Sequence, residues 1–243
     1  MNTLTQTVAL SIFAVALFSG QVQAVTFSQV GDTGQTLDTA QIIPEGSQSL
    51  DAITGSLSSA NVINLFRIVL TGGQTFSATT LNANTLIELP IDQQLGAPTA
   101  LLPDPQLFLF DAVGRGVYGS DDSFGTAQAS LTSGGFSPTA PGTYFLAIAS
   151  AGYTPVSAGG SIFGDADANG VLAATGTGAA SPFTGFIGSG TAGGDYQISL
   201  TGVSANAQGV PEPSETAGLL AVGILGIGYQ VRKALRQRQR STL

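Results

Sequence analysis

The stretch Asn64-Leu65-Phe66-Arg67-Ile68-Val69-Leu70, followed by Gly72-Gly73, decides the fold class of this chain. Large apolar side chains recur at every second position from Phe66 to Leu70, which is the period of a β-strand with one buried face. The two glycines are a turn signal, and residues 74–80 resume the same alternation. The pattern predicts a β-hairpin formed by residues 66–70 and 74–80.

Three further segments show the same strand pattern. Residues 106–110 form a short aromatic and aliphatic run, residues 143–149 alternate after Pro141-Gly142, and residues 196–200 alternate near the end of the domain. No sustained helical period occurs between residues 25 and 209. Short strands separated by Gly-rich turns predict an all-β sandwich or barrel.

A segment rich in Gly, Ala and Ser separates the last two of these strands, at residues 150–194. A connection of this length in a compact domain is either functional or mobile. Its composition resembles that of flexible linkers, so we expect a mobile insertion.

The composition excludes several kinds of function. Residues 25–209 contain thirteen carboxylates and two basic residues, Arg67 and Arg115. Such an acidic surface repels nucleic acid. The whole chain has no His and no Cys. Nucleophilic triads, His-ligated metals and disulfides are therefore excluded, and we expect a protein that is not an enzyme.

One acidic motif predicts a calcium ligand set. Asp165-Ala166-Asp167-Ala168-Asn169-Gly170 is the first half of an EF-hand-type loop, with oxygen ligands at alternate positions and a glycine for the turn. The position where a bidentate Glu is expected is Gly176. Asp165, Asp167 and Asn169 are therefore candidate calcium ligands, and the alternative is an acidic turn in a solvated loop.

Both ends of the chain predict export. An apolar run at residues 8–18 precedes a small-residue boundary, so we expect signal peptidase to cut after Ala24 and the mature protein to begin at Val25. At the other end, Pro211-Glu212-Pro213 precedes an uncharged segment at residues 216–231. As a helix this segment is roughly 24 Å long, slightly short for a bilayer core.

A basic tail follows that segment and sets its orientation. The positive-inside rule places the tail in the cytoplasm and the preceding domain outside. A buried core helix with a solvated end and a nucleic-acid-binding tail are the alternatives. The basic residues are Arg232, Lys233, Arg236, Arg238 and Arg240.

The ordered motif, apolar segment and basic tail at residues 210–243 resemble the PEP-CTERM sorting signal. The resemblance implies an exosortase-type transpeptidase as partner, with cleavage near Pro211, Glu212 and Pro213. It also implies transient anchoring in the inner membrane through residues 216–231, followed by release to the cell surface or the extracellular space.

The domain between the two signals resembles the pre-peptidase C-terminal (PPC) domain, a jelly-roll-like antiparallel β-sandwich. The similarity covers roughly residues 31–202 and is carried by the strand motifs above together with Asp121-Asp122. Asn64 stands where that family commonly has Asp, and the insertion is a second departure. Acidic residues in this part of the family bind calcium in some members, which makes Asp111, Asp121 and Asp122 a second candidate calcium set. The alternative is a solvated acidic surface.

These observations predict three parts: a signal peptide at 1–24, a PPC-like β-sandwich at 25–209 with its insertion at 150–194, and a sorting signal at 210–243. We expect a structural or adhesive protein of the cell surface or extracellular matrix, with extracellular polysaccharide as a partner. A secreted carbohydrate-binding module and a secreted hydrolase of unrecognised type are the alternatives.

Overall fold

The computed structural model describes residues 25–81, 101–123, 125–164, 169–190 and 193–206. These residues form fifteen β-strands and one 3-10 turn at Leu37–Thr39. The strands are β1 Val25–Ser28, β2 Gln41–Ile42, β3 Gln48–Leu57, β4 Ile63–Leu70, β5 Ser77–Thr80, β6 Pro105–Phe110, β7 Gly116–Ser120, β8 Ser130–Leu131, β9 Gly142–Ser150, β10 Tyr153–Ser157, β11 Gly160–Ser161, β12 Val171–Ala173, β13 Phe183–Gly188, β14 Gly194–Thr201 and β15 Val203–Ala205.

Twelve of the strands form one main sheet, which confirms the all-β prediction. Its order is β12-β7-β6-β9-β4-β15-β3-β14-β5-β8, with β1 added in parallel to β3 and β2 in parallel to β4. The long strand β3 pairs with β15 through Gln48 and Ser49 and with β14 through residues 52–57. It therefore joins two halves of the sheet, the first with β12, β7, β6, β9, β4 and β15 and the second with β14, β5 and β8. The resulting nearly closed, mainly antiparallel sheet is compatible with a sandwich or a barrel.

The predicted hairpin of residues 66–70 and 74–80 is wrong, although both strands exist. β4 pairs with β9 along its whole length, and β5 pairs with β14 and β8 in the other half of the sheet. Gly72, Gly73 and Gln74 all have positive φ angles, at 77°, 70° and 60°. The N–H groups of Gly73 and Gln74 donate to carbonyls at Thr139 and Pro138, 2.8 and 2.9 Å away. These contacts replace hairpin pairing and lead the chain across to the second half.

Residues from both halves of the sheet enclose the primary core, which is the first of two hydrophobic clusters. Phe27 from β1 packs edge-on against Phe66 from β4 with ring centroids 6.3 Å apart, and Phe76 packs in the same way against Tyr118. The alternate apolar residues of β4 and β14 point into this core, as their sequence pattern predicts.

The insertion is not the loop that its composition predicts. Its described residues contain β10, β11, β12 and β13, of which β11, β10 and β13 form a separate three-stranded sheet, while β12 pairs with the edge strand β7. We call residues 151–190, as far as they are described, the inserted lobe.

The inserted lobe covers the outer side of β6 and encloses the second core. Phe108 of β6 stacks on Phe163 with ring centroids 5.2 Å apart, and Phe110 of β6 lies 4.8 Å from Phe183. Both sides of β9 are buried for the same reason, because Leu146 faces the primary core and Ala147 faces the second core. Packed aromatic rings therefore order a segment whose backbone composition favours mobility.

The terminal signals that the sequence predicts fall outside the described residues. These are the signal peptide at 1–24 with Ala24, and residues 210–243 with Pro211, Glu212 and Pro213. In the described ranges, no helix is long and apolar enough to cross a membrane. Val25, the expected mature N-terminus, lies in β1.

Candidate cation site

Three carboxylates meet at the open end of the β6–β7 hairpin. Asp104 immediately precedes β6, and Asp121 and Asp122 immediately follow β7. The antiparallel register pairs Leu107 with Ser120, so these two chain ends lie side by side. One carboxylate oxygen from each Asp lies within 4.8 Å of the others. We call these three residues the carboxylate cluster.

Asp111, the third residue predicted for this site, lies elsewhere. It stands at the closed end of the same hairpin, roughly 20 Å from the cluster at ~3.3 Å per strand residue. Its Oδ1 accepts hydrogen bonds from the N–H groups of Val113 and Arg115, at 3.0 and 2.8 Å. Asp111 therefore holds the turn, which Gly114 completes with a φ of 84°.

Asp104 takes the place that the sequence assigned to Asp111. No sequence motif marks Asp104, and only the register of β6 with β7 shows that it reaches Asp121 and Asp122. One feature of the sequence could have indicated Asp104. Asp104, Gln106 and Phe108 are two residues apart, so an extended chain places their side chains on the same face.

The surroundings of Asp104 disfavour its charged form. Asp121 is 8% exposed, and Asp104 and Asp122 are half-buried. Burial raises the pKa of Asp104 above its ordinary value, and the nearby Asp122 carboxylate raises it further. Both causes disfavour the charged form of Asp104, and the attraction of a bound cation would offset their cost.

A buried neutral oxygen belongs to a residue close to the cluster in the register of the hairpin. Gln106 is 1% exposed, and its Oε1 has no hydrogen-bond partner among the described residues. Gln106 shares a strand face with Asp104 and lies one register step beyond the Leu107–Ser120 pair, next to Asp121. A buried carbonyl oxygen without a donor is costly, and amide oxygens are ligands that calcium accepts.

Gln128 contributes a second buried amide beside the cluster. Its Nε2 donates to the Pro103 carbonyl at 3.4 Å, and the Ser123 hydroxyl donates to its backbone carbonyl at 2.7 Å. Its Oε1 also has no partner within the described part of the chain. The donor set around the cluster thus consists of hard oxygen atoms, which suit calcium or magnesium.

The second predicted calcium set reaches the same place at its described end. Asp165 and Asp167 lie outside the described residues, and Asn169 is exposed. The N–H of Gly170 donates to the carbonyl of Asp122 at 2.7 Å. The structure therefore brings Asn169-Gly170 to the carboxylate cluster, although the two sets are far apart in sequence.

The Asn64 side chain belongs to a separate buried network. Its Nδ2 lies 2.8 Å from both Gln29 Oε1 and the Tyr196 hydroxyl, and its Oδ1 accepts from Asn61 Nδ2 at 2.8 Å. Burial raises the pKa of Tyr196, so its hydroxyl stays protonated. This network links the residue after β1 to β4 and β14 through satisfied hydrogen bonds and has the features of a structural element.

No protein-family model matches the chain, and no curated protein is significantly similar to it.

Proposed function

We propose that this chain is an exported, non-catalytic protein of the cell surface or extracellular matrix, and that calcium bound at the carboxylate cluster stabilises it. In this proposal the described strands form a jelly-roll-like, PPC-type β-sandwich. A signal peptide and a PEP-CTERM signal deliver it, through signal peptidase, an exosortase-type transpeptidase and a transient stay in the inner membrane. Its role is structural or adhesive, with extracellular polysaccharide as the expected partner.

The carboxylate cluster is the observation that carries the calcium part of the proposal. Three carboxylates within 4.8 Å repel one another, and Gln106 Oε1 is buried without a hydrogen-bond partner on the strand that follows Asp104. Calcium takes six to eight oxygen ligands in flexible geometry, which suits side chains from two strand ends better than the strict octahedron of magnesium. The extracellular compartment supplies calcium to modules with weak sites.

The proposal of a non-catalytic role rests on chemistry. The chain has no His and no Cys to serve as a nucleophile or its base. Burial raises the pKa of both Tyr118 and Tyr196, which keeps these phenols neutral. The two described polar clusters can thus bind a cation or hold the fold.

The packing of β1 is compatible with the proposed cleavage after Ala24. β1 begins at Val25, and Phe27 is 4% exposed against Phe66. Cleavage after Ala24 would therefore leave β1 and its packing against the primary core intact.

Calcium binding is tested on the processed, exported protein by calorimetry and thermal melting. A ligand that binds the folded state alone adds about 2.7 kcal/mol at a hundredfold excess over its Kd. We expect calcium to raise Tm in the wild type and not in the Asp121→Asn/Asp122→Asn double variant. Asp38→Asn removes an exposed charge away from the cluster and should retain the shift. A wild-type Tm that is equal in calcium and in chelator overturns the calcium proposal.

Processing is tested by mass spectrometry of the extracellular form. We expect it to begin at Val25 and to end near Pro211-Glu212-Pro213. Replacing Glu212 should leave the chain inserted and uncut, if it is an exosortase substrate. An extracellular form that still carries Leu243 contradicts the sorting proposal, and one that retains Met1 contradicts the signal peptide.

A further inference from the structure

The inserted lobe is joined to the main sheet by a short strand. In the described residues, β12 is the lobe strand that pairs with the main sheet, and it has three residues. Its partners are Ser120, Gly119 and Tyr118 of β7, in the register Val171↔Ser120. A pairing this short contributes few hydrogen bonds, so the contact depends on what holds the two strand ends in place.

The carboxylate cluster lies directly at this junction. Asp121 is the next residue after Ser120, which pairs with the first residue of β12. The Asp122 carbonyl accepts the hydrogen bond from Gly170, the residue just before β12. The backbone that carries two of the three carboxylates is therefore the backbone on which the lobe docks.

The third carboxylate connects this junction to the second core. Asp104 precedes β6, and Phe108 on the same strand packs against Phe163 and Phe186 of the lobe. A force that moves Asp104 away from Asp121 also separates the start of β6 from the end of β7. The lobe contacts the backbone at both of these strand ends, because Ala151 N–H donates to the Asp104 carbonyl and Gly170 N–H to the Asp122 carbonyl.

We infer that a calcium ion bound by Asp104, Asp121 and Asp122 fixes the inserted lobe against the main sheet, so that docking of the lobe depends on the cation. This inference rests on the proposed calcium binding and adds the part of the protein that the ion controls. Without the ion, repulsion among the carboxylates loosens the end of β7, and β12 loses its partner. With the ion, the ends of β6 and β7 are held together, and β12 has a fixed edge.

Hydrogen exchange measured by mass spectrometry on the processed, exported protein tests this inference. We compare peptides from residues 171–186 of the lobe with peptides from residues 196–201 of β14, in calcium and in chelator. We expect calcium to slow exchange in the lobe peptides by about tenfold or more, which corresponds to ~1.4 kcal/mol. Exchange in β14 should change less, because β14 lies in the other half of the sheet.

Two isosteric variants and a control locate the effect. Asp104→Asn/Asp121→Asn should abolish the calcium-dependent protection of the lobe, while Asp38→Asn should retain it. Asp165→Asn/Asp167→Asn removes the charges of the EF-hand-like motif and should also retain it. Protection that is lost in this last variant and kept in the first overturns the assignment to the carboxylate cluster.

The outcomes separate the inference from the proposal beneath it. If calorimetry detects no calcium binding, the calcium site itself is wrong. If calcium binds and raises Tm but protects the lobe and β14 equally, the site is real and the inference is wrong. If the Asp104→Asn/Asp121→Asn variant does not fold, the wild-type comparison in calcium and chelator still decides between these outcomes.

Discussion

The primary core and the second core share one wall, formed by β4, β6 and β9, and differ in what closes the opposite side. The primary core is closed by β3, β14 and β5, which are joined by continuous ladders such as the six residue pairs of β14 with β3. The second core is closed by the inserted lobe, whose ladder with the main sheet is the three residue pairs of β12, with single backbone hydrogen bonds from Ala151 to Asp104, from Gly170 to Asp122 and from Phe183 to Gly114. The two cores are both packed with apolar side chains, but far fewer strand pairs support the second. We therefore expect the second core to unfold separately from the primary core.

The largest expected effect breaks the primary core. Phe66→Ala removes a fully buried ring that packs against Phe27, and truncations of this kind cost about 3–5 kcal/mol. Denaturant unfolding should show this loss as a lower midpoint for the whole domain. Phe163→Ala removes a ring of the same size from the second core and should act mainly on the lobe, as faster hydrogen exchange of residues 171–186. Equal global losses for the two variants would show that the cores unfold as one unit.

A smaller effect comes from adding a methyl group in β7 against Phe108 of the shared wall. In Gly119→Ala, the added Cβ would lie 2.6 Å from Cδ1 of Phe108, so the ring has to move toward the lobe. Overpacking of this kind costs about 1–3 kcal/mol. We expect faster exchange in the lobe and a lower Tm. Gly135→Ala adds the same methyl group where nothing lies within 4 Å and should leave both unchanged. An unchanged lobe in Gly119→Ala would mean that Phe108 is not held between the sheet and the lobe.

The smallest expected effect sharpens the comparison at the junction of the two cores. Because the pKa of Asp104 is raised, its charged form is less stable in the folded protein than in the unfolded chain. Asp104→Asn should therefore stabilise the protein in chelator, by about 0.5 kcal/mol for such a half-exposed charge. The same change should reduce the gain in Tm on adding calcium. Destabilisation in chelator would show that Asp104 makes favourable contacts as a carboxylate.

The strands could be predicted from the sequence, whereas their partners could not. Residues 106–110, 143–149 and 196–200 all lie in strands, because alternation reflects which side chains are buried and needs no knowledge of the partner. The pairing of β4 with β9 depends on the backbone at Gly72 to Gln74. Two adjacent glycines do not by themselves distinguish a hairpin turn from a crossing between sheet halves.

The candidate site was predicted in part. Asp121 and Asp122 lie in the carboxylate cluster, Asp111 holds a turn, and Asp104 was missed. The reason is register: an antiparallel pair brings together residues whose separation in sequence depends on the length of the hairpin and on its bulge between Leu109 and Phe110. The contact between Gly170 and Asp122 could not be predicted either, because it depends on the pairing of two segments that are far apart in sequence.

By itself, the sequence determined the all-β class, the acidic and His-free chemistry, and the inward faces of strands such as β4 and β14. Each follows from local composition or from a two-residue period. Only the tertiary structure decided which strands are neighbours, that a Gly-rich insertion folds into a lobe over Phe108 and Phe110, and that Asp104 joins Asp121 and Asp122. Those features depend on contacts between distant segments, whose free energy is gained only when the whole sheet has assembled.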